Sequence, residues 1–177
     1  MLNIIIIIII NYTKLTWRSI IFSDESSYVM ENCSNQYVQH HSGERFEPKC
    51  VLFKRNRSMA HVNVWGAFNG YAYTDLIRIT GRFNSNNYIH VLNTELKPKL
   101  RLLFPVLGKY LHDNSPVHSS NSVKEWFNEN HVSLLPMPPC SPDINLIENV
   151  WAYLEKVYNH SVVTDSNSLF KELHKCW

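Results

Sequence analysis

The sequence predicts a mixed α/β fold, one sheet with helices packed against it, and three observations predict it. His61 to Phe68 alternates with period two, placing Val62, Val64, Gly66 and Phe68 on one face of a strand. The second half carries apolar stripes at helical spacing, Tyr88, Leu92, Leu96 and Leu100 first and Ile144 to Tyr158 last. Strand-like runs come first, then helix and strand alternate, the order of an α/β sandwich. The chain has 177 residues, 45% hydrophobic and 18% charged, which suits one domain with a real core and excludes a disordered polyelectrolyte. Five glycines and eight prolines exclude a collagen-like or low-complexity chain.

The chain begins oddly, with seven consecutive isoleucines from Ile4 to Ile10. That run is far shorter than the roughly 20 residues a membrane helix needs. It lacks the basic flank and small-residue cleavage site of a signal peptide, so residues 1–16 read as a low-complexity start. Trp17 to Ser23 reads as an apolar strand delivering Asp24-Glu25-Ser26 at its end. Asn35 to His41 alternates weakly around Tyr37 and reads as a second strand, and Gly43 to Ser58 as a basic loop or hairpin crossing. After the strand at His61, Tyr73 to Thr80 supplies another, with Leu76, Ile77 and Ile79.

Asn84-Ser85 offers N-caps for a helix that Pro98 should kink or split. Lys109 to Asp113 reads as a brief strand ending in an acid. Ser122 with Glu125 suggests a capping box, ahead of a face formed by Val123, Trp126 and Phe127. Val132 to Met137 is a compact strand closed by Pro138-Pro139. A helix from about Asp143 to Tyr158 follows, with Asp143 as its N-cap after Ser141-Pro142. Leu169, Phe170 and Leu173 mark one more helical pattern.

The net charge of +2 conceals an uneven distribution. Residues 45–109 hold eleven Lys and Arg against Glu47, Asp75 and Glu95, a local charge of +8, and the remainder carries −6. A basic middle suits a surface that meets a polyanion, with Arg45, Lys49, Lys54, Arg55 and Arg57 as the densest group; charges spread over several solvated faces are the plain alternative. Four scattered cysteines without a C-x-x-C pair make neither a disulfide scaffold nor a zinc ribbon, and fit reduced thiols inside a cell.

Three acids stand where chemistry could use them. Asp24 and Asp113 each end an expected strand, and Glu148 lies one turn into the last long helix, at the edge of its apolar stripe. Converging carboxylates repel one another unless cations sit between them, and two Mg²⁺ or Mn²⁺ ions held by oxygen ligands would create a phosphoryl-transfer site. Taken singly, Asp24 also reads as a turn residue, Asp113 as an Asx-turn former beside Asn114, and Glu148 as a surface helix residue. His112 and His118 flank Asp113, but a zinc site is disfavoured without a third nitrogen or sulfur ligand nearby.

Four blocks, in order, resemble the signature of the catalytic domain of Tc/mariner-type DDE transposases. They are Ser23-Asp24-Glu25-Ser26, Val64-Trp65-Gly66-Ala67-Phe68, His112-Asp113-Asn114-Ser115-Pro116-Val117-His118 and Ser141 to Trp151. The 34 residues between Asp113 and Glu148, and a Glu at the last position, are typical of the Tc branch. The resemblance implies an RNase H-like fold over residues 17–177, with a five-stranded mixed sheet flanked by helices and a shortened C-terminal end. It implies that Asp24, Asp113 and Glu148 bind two Mg²⁺ or Mn²⁺ ions for in-line attack on a DNA phosphodiester, with Asn114 and His118 in support. The implied partner is double-stranded DNA, both transposon ends and target, met in the nucleus by a homodimer and with no membrane involved. Trp65 is expected in the core rather than as a base-stacking platform. Family members carry helix-turn-helix modules before this domain, so end recognition is expected to be missing from this chain. A non-catalytic DNA-binding remnant is the alternative reading, and a cellular RNase H-like nuclease a weaker third.

Overall fold

The alternation seen at His61 sorts the whole sheet into two faces. The computed structural model describes residues 14–30, 60–103, 108–138 and 141–177. The expected strand at Asn35, the basic crossing at Gly43 to Ser58 and the isoleucine run lie outside the described residues. A short helix α1 (Lys14–Ser19) leads into β1 (Ile21–Met30), which pairs antiparallel with β2 (Ala60–Phe68) along its full length. Next to β2 runs the three-residue β3 (Ile77–Ile79), also antiparallel. On the other side of β1 lies β4 (Tyr110–Leu111), parallel to it. The order is β3-β2-β1-β4, a mixed sheet as expected.

Among the described residues the sheet has four strands where five are expected. The expected strand at Val132 to Met137 is in place but reduced to one parallel bridge between Leu134 and Tyr110. Two hydrogen bonds hold it, Tyr110 N–H to the Ser133 carbonyl and Leu135 N–H to the Tyr110 carbonyl, both 2.8 Å. With β4 only two residues long, there is no ladder for that segment to extend.

One face of the sheet, with Ile20, Phe22, Tyr28, Val62 and Val64, packs on α5 (Ile147–Val157) and α6 (Ser166–Cys176). The other, with Ile21, Trp65 and Ala67, packs on α2 (Ser85–Val91), its continuation through α3 (Leu100–Leu103), and α4 (Asn121–Glu129). Trp65 is fully buried in this second core, as expected. Asn84 caps α2 in a reciprocal box with Asn87. Tyr88, Leu92 and Leu96 are fully buried, in line with the expected stripe. Pro98, which has no N–H to donate, sits in a 3-10 turn at Lys97–Lys99 after a π turn at Leu92–Leu96, so the helix is split there.

Four local expectations are corrected. Trp17 to Ser19 is helical, not strand: Trp17 stacks on Phe22 and the Arg18 carbonyl accepts from Gly70 N–H, so the chain turns back before β1. Because β1 then pairs on to Met30, Asp24 lies inside the strand rather than at its end. Ser122 and Glu125 form no capping box; α4 is entered through Ser120, whose Oγ donates to the Val117 carbonyl instead of accepting from the helix. Nor does Asp143 cap the long helix. It sits in a separate 3-10 turn at Pro142–Ile144, and α5 begins only at Ile147.

Candidate active site

Adjacent residues of a strand point to opposite faces, and β1 uses this at Asp24 and Glu25. Asp24 shares the α5 face with Phe22 and stands opposite Gly66 of β2. Two residues beyond the parallel partner of β1 comes Asp113, and Glu148 lies in the first turn of α5. All three acids line one cleft of about 410 Å³, together with Asn114, Ser115, Met137, Pro138, Ser141, Pro142 and Asn145.

The walls are tied together from residues far apart in sequence. Ser23 Oγ donates to the Leu111 carbonyl at 3.1 Å, joining β1 to β4 between the two aspartates. Asn145 Nδ2 donates to the Ser23 carbonyl at 3.1 Å, and its Oδ1 accepts from Ile147 N–H at 3.4 Å, which joins the start of α5 to β1. Asn114 Nδ2 donates to the Met137 carbonyl at 2.7 Å and holds the Asp113 loop against the next segment. Asp113 Oδ1 accepts from Ser115 N–H at 2.9 Å, so the Asx turn read in the sequence is real and serves to orient this acid.

His118 completes the support. Its Nδ1 is 2.6 Å from Asp113 Oδ1, and its Nε2 is 3.3 Å from Glu25 Oε1, close enough for an ion pair but not aligned as a hydrogen bond. Its side chain is 1% exposed. Behind it His112 stacks at 4.8 Å between centroids, and His112 Nδ1 meets the Tyr88 hydroxyl at 3.0 Å, which meets the Tyr110 hydroxyl at 3.1 Å.

Electrostatics divide the two aspartates. Burial pushes the Asp24 carboxyl up to about 7; the Glu25 backbone N–H opposes this, and the charges of Glu25, Glu148 and Asp113 reinforce it. The hydrogen bond from His118 holds Asp113 down at about 2, despite partial burial. Burial also works against a charge on His118, but the Asp113 and Glu25 carboxylates outweigh it and raise the imidazole to about 9. For its neighbour His112, burial followed by the His118 charge outweighs the pull of the Asp113 carboxylate and lowers the imidazole to about 3.

The charged groups facing the cleft are all carboxylates, which suit a hard divalent cation. Among the described residues no three His, Cys, Asp or Glu side chains are drawn close enough to share one ion, so the acids surround the cleft instead of closing on a point. A carboxyl raised to about 7 by burial and three neighbouring negative charges is a place where a cation would relieve the cost. The residues therefore fit such an ion. No helix of the described residues is long and apolar enough to cross a membrane.

The profile of the family described as DDE superfamily endonuclease matches residues 19–169, a span that holds all three acids. The chain belongs to that family. Its DDE domain is of the Tc/mariner type, being 30% identical over 169 residues to the Transposable element Tcb2 transposase of Caenorhabditis briggsae. That alignment covers 95% of this chain and 62% of the relative, so the DDE domain spans about three fifths of the relative's length. A Mos1 transposase paired-end complex with left transposon end superposes with a TM-score of 0.62 at 19% identity, over 98% of this chain and 57% of that one. The Mos1 transposase catalytic domain with raltegravir and Mg superposes with a TM-score of 0.52 at 15% identity, over 92% of this chain and 80% of that one. The shared fold is the RNase H-like one.

Asp24, Asp113 and Glu148 are thus brought together, and Asn114 and His118 stand beside them. Arg45, Lys49, Lys54, Arg55 and Arg57 lie outside the described residues. Sequence reasoning passed over Asn145, Ser23 and Glu25. The signal for each was its place inside a matching block, next to or near an acid, with a polar side chain at a position the fold buries or half-buries.

Proposed function

We propose that this DDE domain carries out divalent-metal-dependent cleavage of DNA phosphodiesters and joining of the resulting 3′ ends to target DNA. The observation that carries the reading is the convergence of Asp24, Asp113 and Glu148 on one cleft. These acids are the ligands for two Mg²⁺ or Mn²⁺ ions, a choice supported by the similar Mos1 catalytic domain having been solved with Mg. Such ions would supply an activated attacking oxygen and a stabilised leaving oxygen. The chain's own residues do the positioning. His118 and the Ser115 N–H hold Asp113 by Oδ1, which orients the carboxylate that would hold an ion. Asp24 accepts from Glu25 N–H by Oδ1 at 2.9 Å, which orients its carboxylate as well. Asn145 fixes the turn that presents Glu148.

DNA is the partner, met as a homodimer on transposon ends and target, in the nucleus. The basic segment with Arg45, Lys49, Lys54, Arg55 and Arg57 supplies phosphate contacts. The test is nicking of supercoiled plasmid and joining of pre-cut ends by the purified chain, with Mg²⁺, with Mn²⁺ and with chelator. Metal-dependent products that vanish in Asp113→Ala support the reading. A folded protein that binds neither ion and cuts nothing overturns it, and salt-sensitive DNA association surviving loss of all three acids would favour the non-catalytic remnant. Cleavage confined to an RNA–DNA hybrid would point to a cellular nuclease instead.

A further inference from the structure

β1 carries two consecutive acids, and only the first lines the cleft. Glu25 lies on the opposite face of the strand, paired across the sheet with Trp65, a residue of the second core. Its side chain is 27% exposed, yet Oε1 is fully buried and has no hydrogen-bond partner, and the same holds for the facing Nε2 of His118, 3.3 Å away. A buried carboxylate oxygen and a buried ring nitrogen without other partners are costly to maintain. Here each is the other's nearest compensation.

The other nitrogen of the same ring holds Asp113 at 2.6 Å. His112 also stacks on one face of the His118 ring at 4.8 Å, and Tyr88 packs against the same ring at 4.3 Å, tilted by 45°. The ring is thus packed by two aromatic neighbours while its two nitrogens face the two carboxylates. Asp113 stands on the loop after β4, and Glu25 on β1 next to Asp24. His118 is the strut between the strand that carries one acid and the loop that carries another.

We infer that Glu25 is a positioning residue, which acts through His118 to fix the orientation of the Asp113 carboxylate. The inference rests on the reading of Asp113 as a metal ligand. It places the support of that ligand on the far side of the sheet from the cleft. Outer partners of metal ligands commonly change metal affinity by about 10- to 100-fold when removed. The value expected for Glu25 is near the lower end, about tenfold, because its contact is an ion pair and not an aligned hydrogen bond.

The experiment is Mn²⁺ binding to the full chain, followed by titration calorimetry, for wild type, Glu25→Ala, Glu25→Gln, His118→Ala, Glu25→Ala with His118→Ala, and Asp113→Ala. Circular dichroism of each variant reports folding. The expected result is an affinity lowered about tenfold in Glu25→Ala, less in Glu25→Gln, which keeps the acceptor but not the charge. In the His118→Ala background the Glu25 substitution should add nothing, because the strut is already gone. A purely structural role for Glu25 would lower thermal stability and leave the coupling with His118 at zero. Glu25→Ala and Glu25→Gln both binding Mn²⁺ within twofold of wild type, or the two losses simply adding, overturns the inference while Asp113→Ala still abolishes binding. If Asp113→Ala itself leaves Mn²⁺ binding intact, the site reading fails and this inference falls with it.

Discussion

Asn145 Nδ2 donates to the carbonyl of Ser23, 122 residues earlier in the chain. One residue after Ser23 is Asp24, and three after Asn145 is Glu148, so this buried amide ties together the segments of two acids that no local sequence rule brings together. Its side chain is 2% exposed, so water offers no replacement for the lost bond.

Asn145→Ala should lower unfolding stability by about 1–3 kcal/mol, the cost of removing one partner of a buried hydrogen bond. Metal-dependent nicking should fall further than the stability loss explains, since the turn before Glu148 loses its anchor. Urea denaturation and nicking assays at a temperature where the variant stays folded separate the two. Loss of nicking only in proportion to unfolded protein would refute the anchoring role.

Asp24→Asn should stabilise the metal-free domain at alkaline pH. The folded carboxyl titrates near 7 against an ordinary 3.8, so its stability contribution is lost as pH rises from 3.8 and the penalty is complete above about 7. Thermal melts in chelator should show the variant above wild type at pH 8, by about 2–4 °C for each kcal/mol relieved. Near pH 3, where both states are protonated, the two curves should meet. Equal melting points at both pH values would show that burial does not penalise this acid.

The His118–Asp113 pair gives an opposite profile. Asp113 is held at about 2, so its contribution is present above 3.8 and is lost as pH falls through 2. His118 is raised to about 9, so its contribution is full below 6.5 and is lost as pH rises through 9. The stability gap between wild type and His118→Ala in chelator should therefore be widest between about pH 4 and 6.5. A gap that widens toward pH 9 would contradict the assignment.

Gly66 stands opposite Asp24, and a Cβ there would come within 2.7 and 2.8 Å of the Trp177 ring and 3.2 Å of Trp151. The two indoles stack at 5.2 Å, and Trp177 Nε1 donates to the Thr74 carbonyl at 2.8 Å, so the ring is held over the sheet. Gly66→Ala should cost about 1–3 kcal/mol by overpacking. In a Trp177→Ala background the same change should cost much less, because the clashing ring is gone. Equal costs in the two backgrounds, measured by denaturation, would place the strain elsewhere.

Much of this was legible in the sequence because it is periodic or local. The alternation from Val62 to Phe68, the Asn84 cap and the buried stripe of Tyr88, Leu92 and Leu96 depend on neighbours a few residues away. The three acids were legible as blocks in order and spacing. Less legible were features decided across the sheet. Whether Asp24 ends a strand or lies within it depends on how far β2 continues beside it. Asp143 has the local sequence of a helix cap, but Asn145 supplies both the bond to β1 and the bond to Ile147, so the helix starts later. Nothing in the spacing of Glu25 and His118, 93 residues apart, announces that they meet.

The opposite orientation of Asp24 and Glu25 has a consequence for how this strand tolerates change. Substitutions on β1 act on one face at a time. A single inserted or deleted residue upstream, with pairing to β2 kept, would exchange the two faces beyond it. Asp24 would then sit under α4, and Glu25, the brace of Asp113, would sit in the cleft. Point mutation can weaken this strand by degrees, whereas a one-codon shift in its length would take Asp24 out of the cleft and Glu25 away from His118 in the same event.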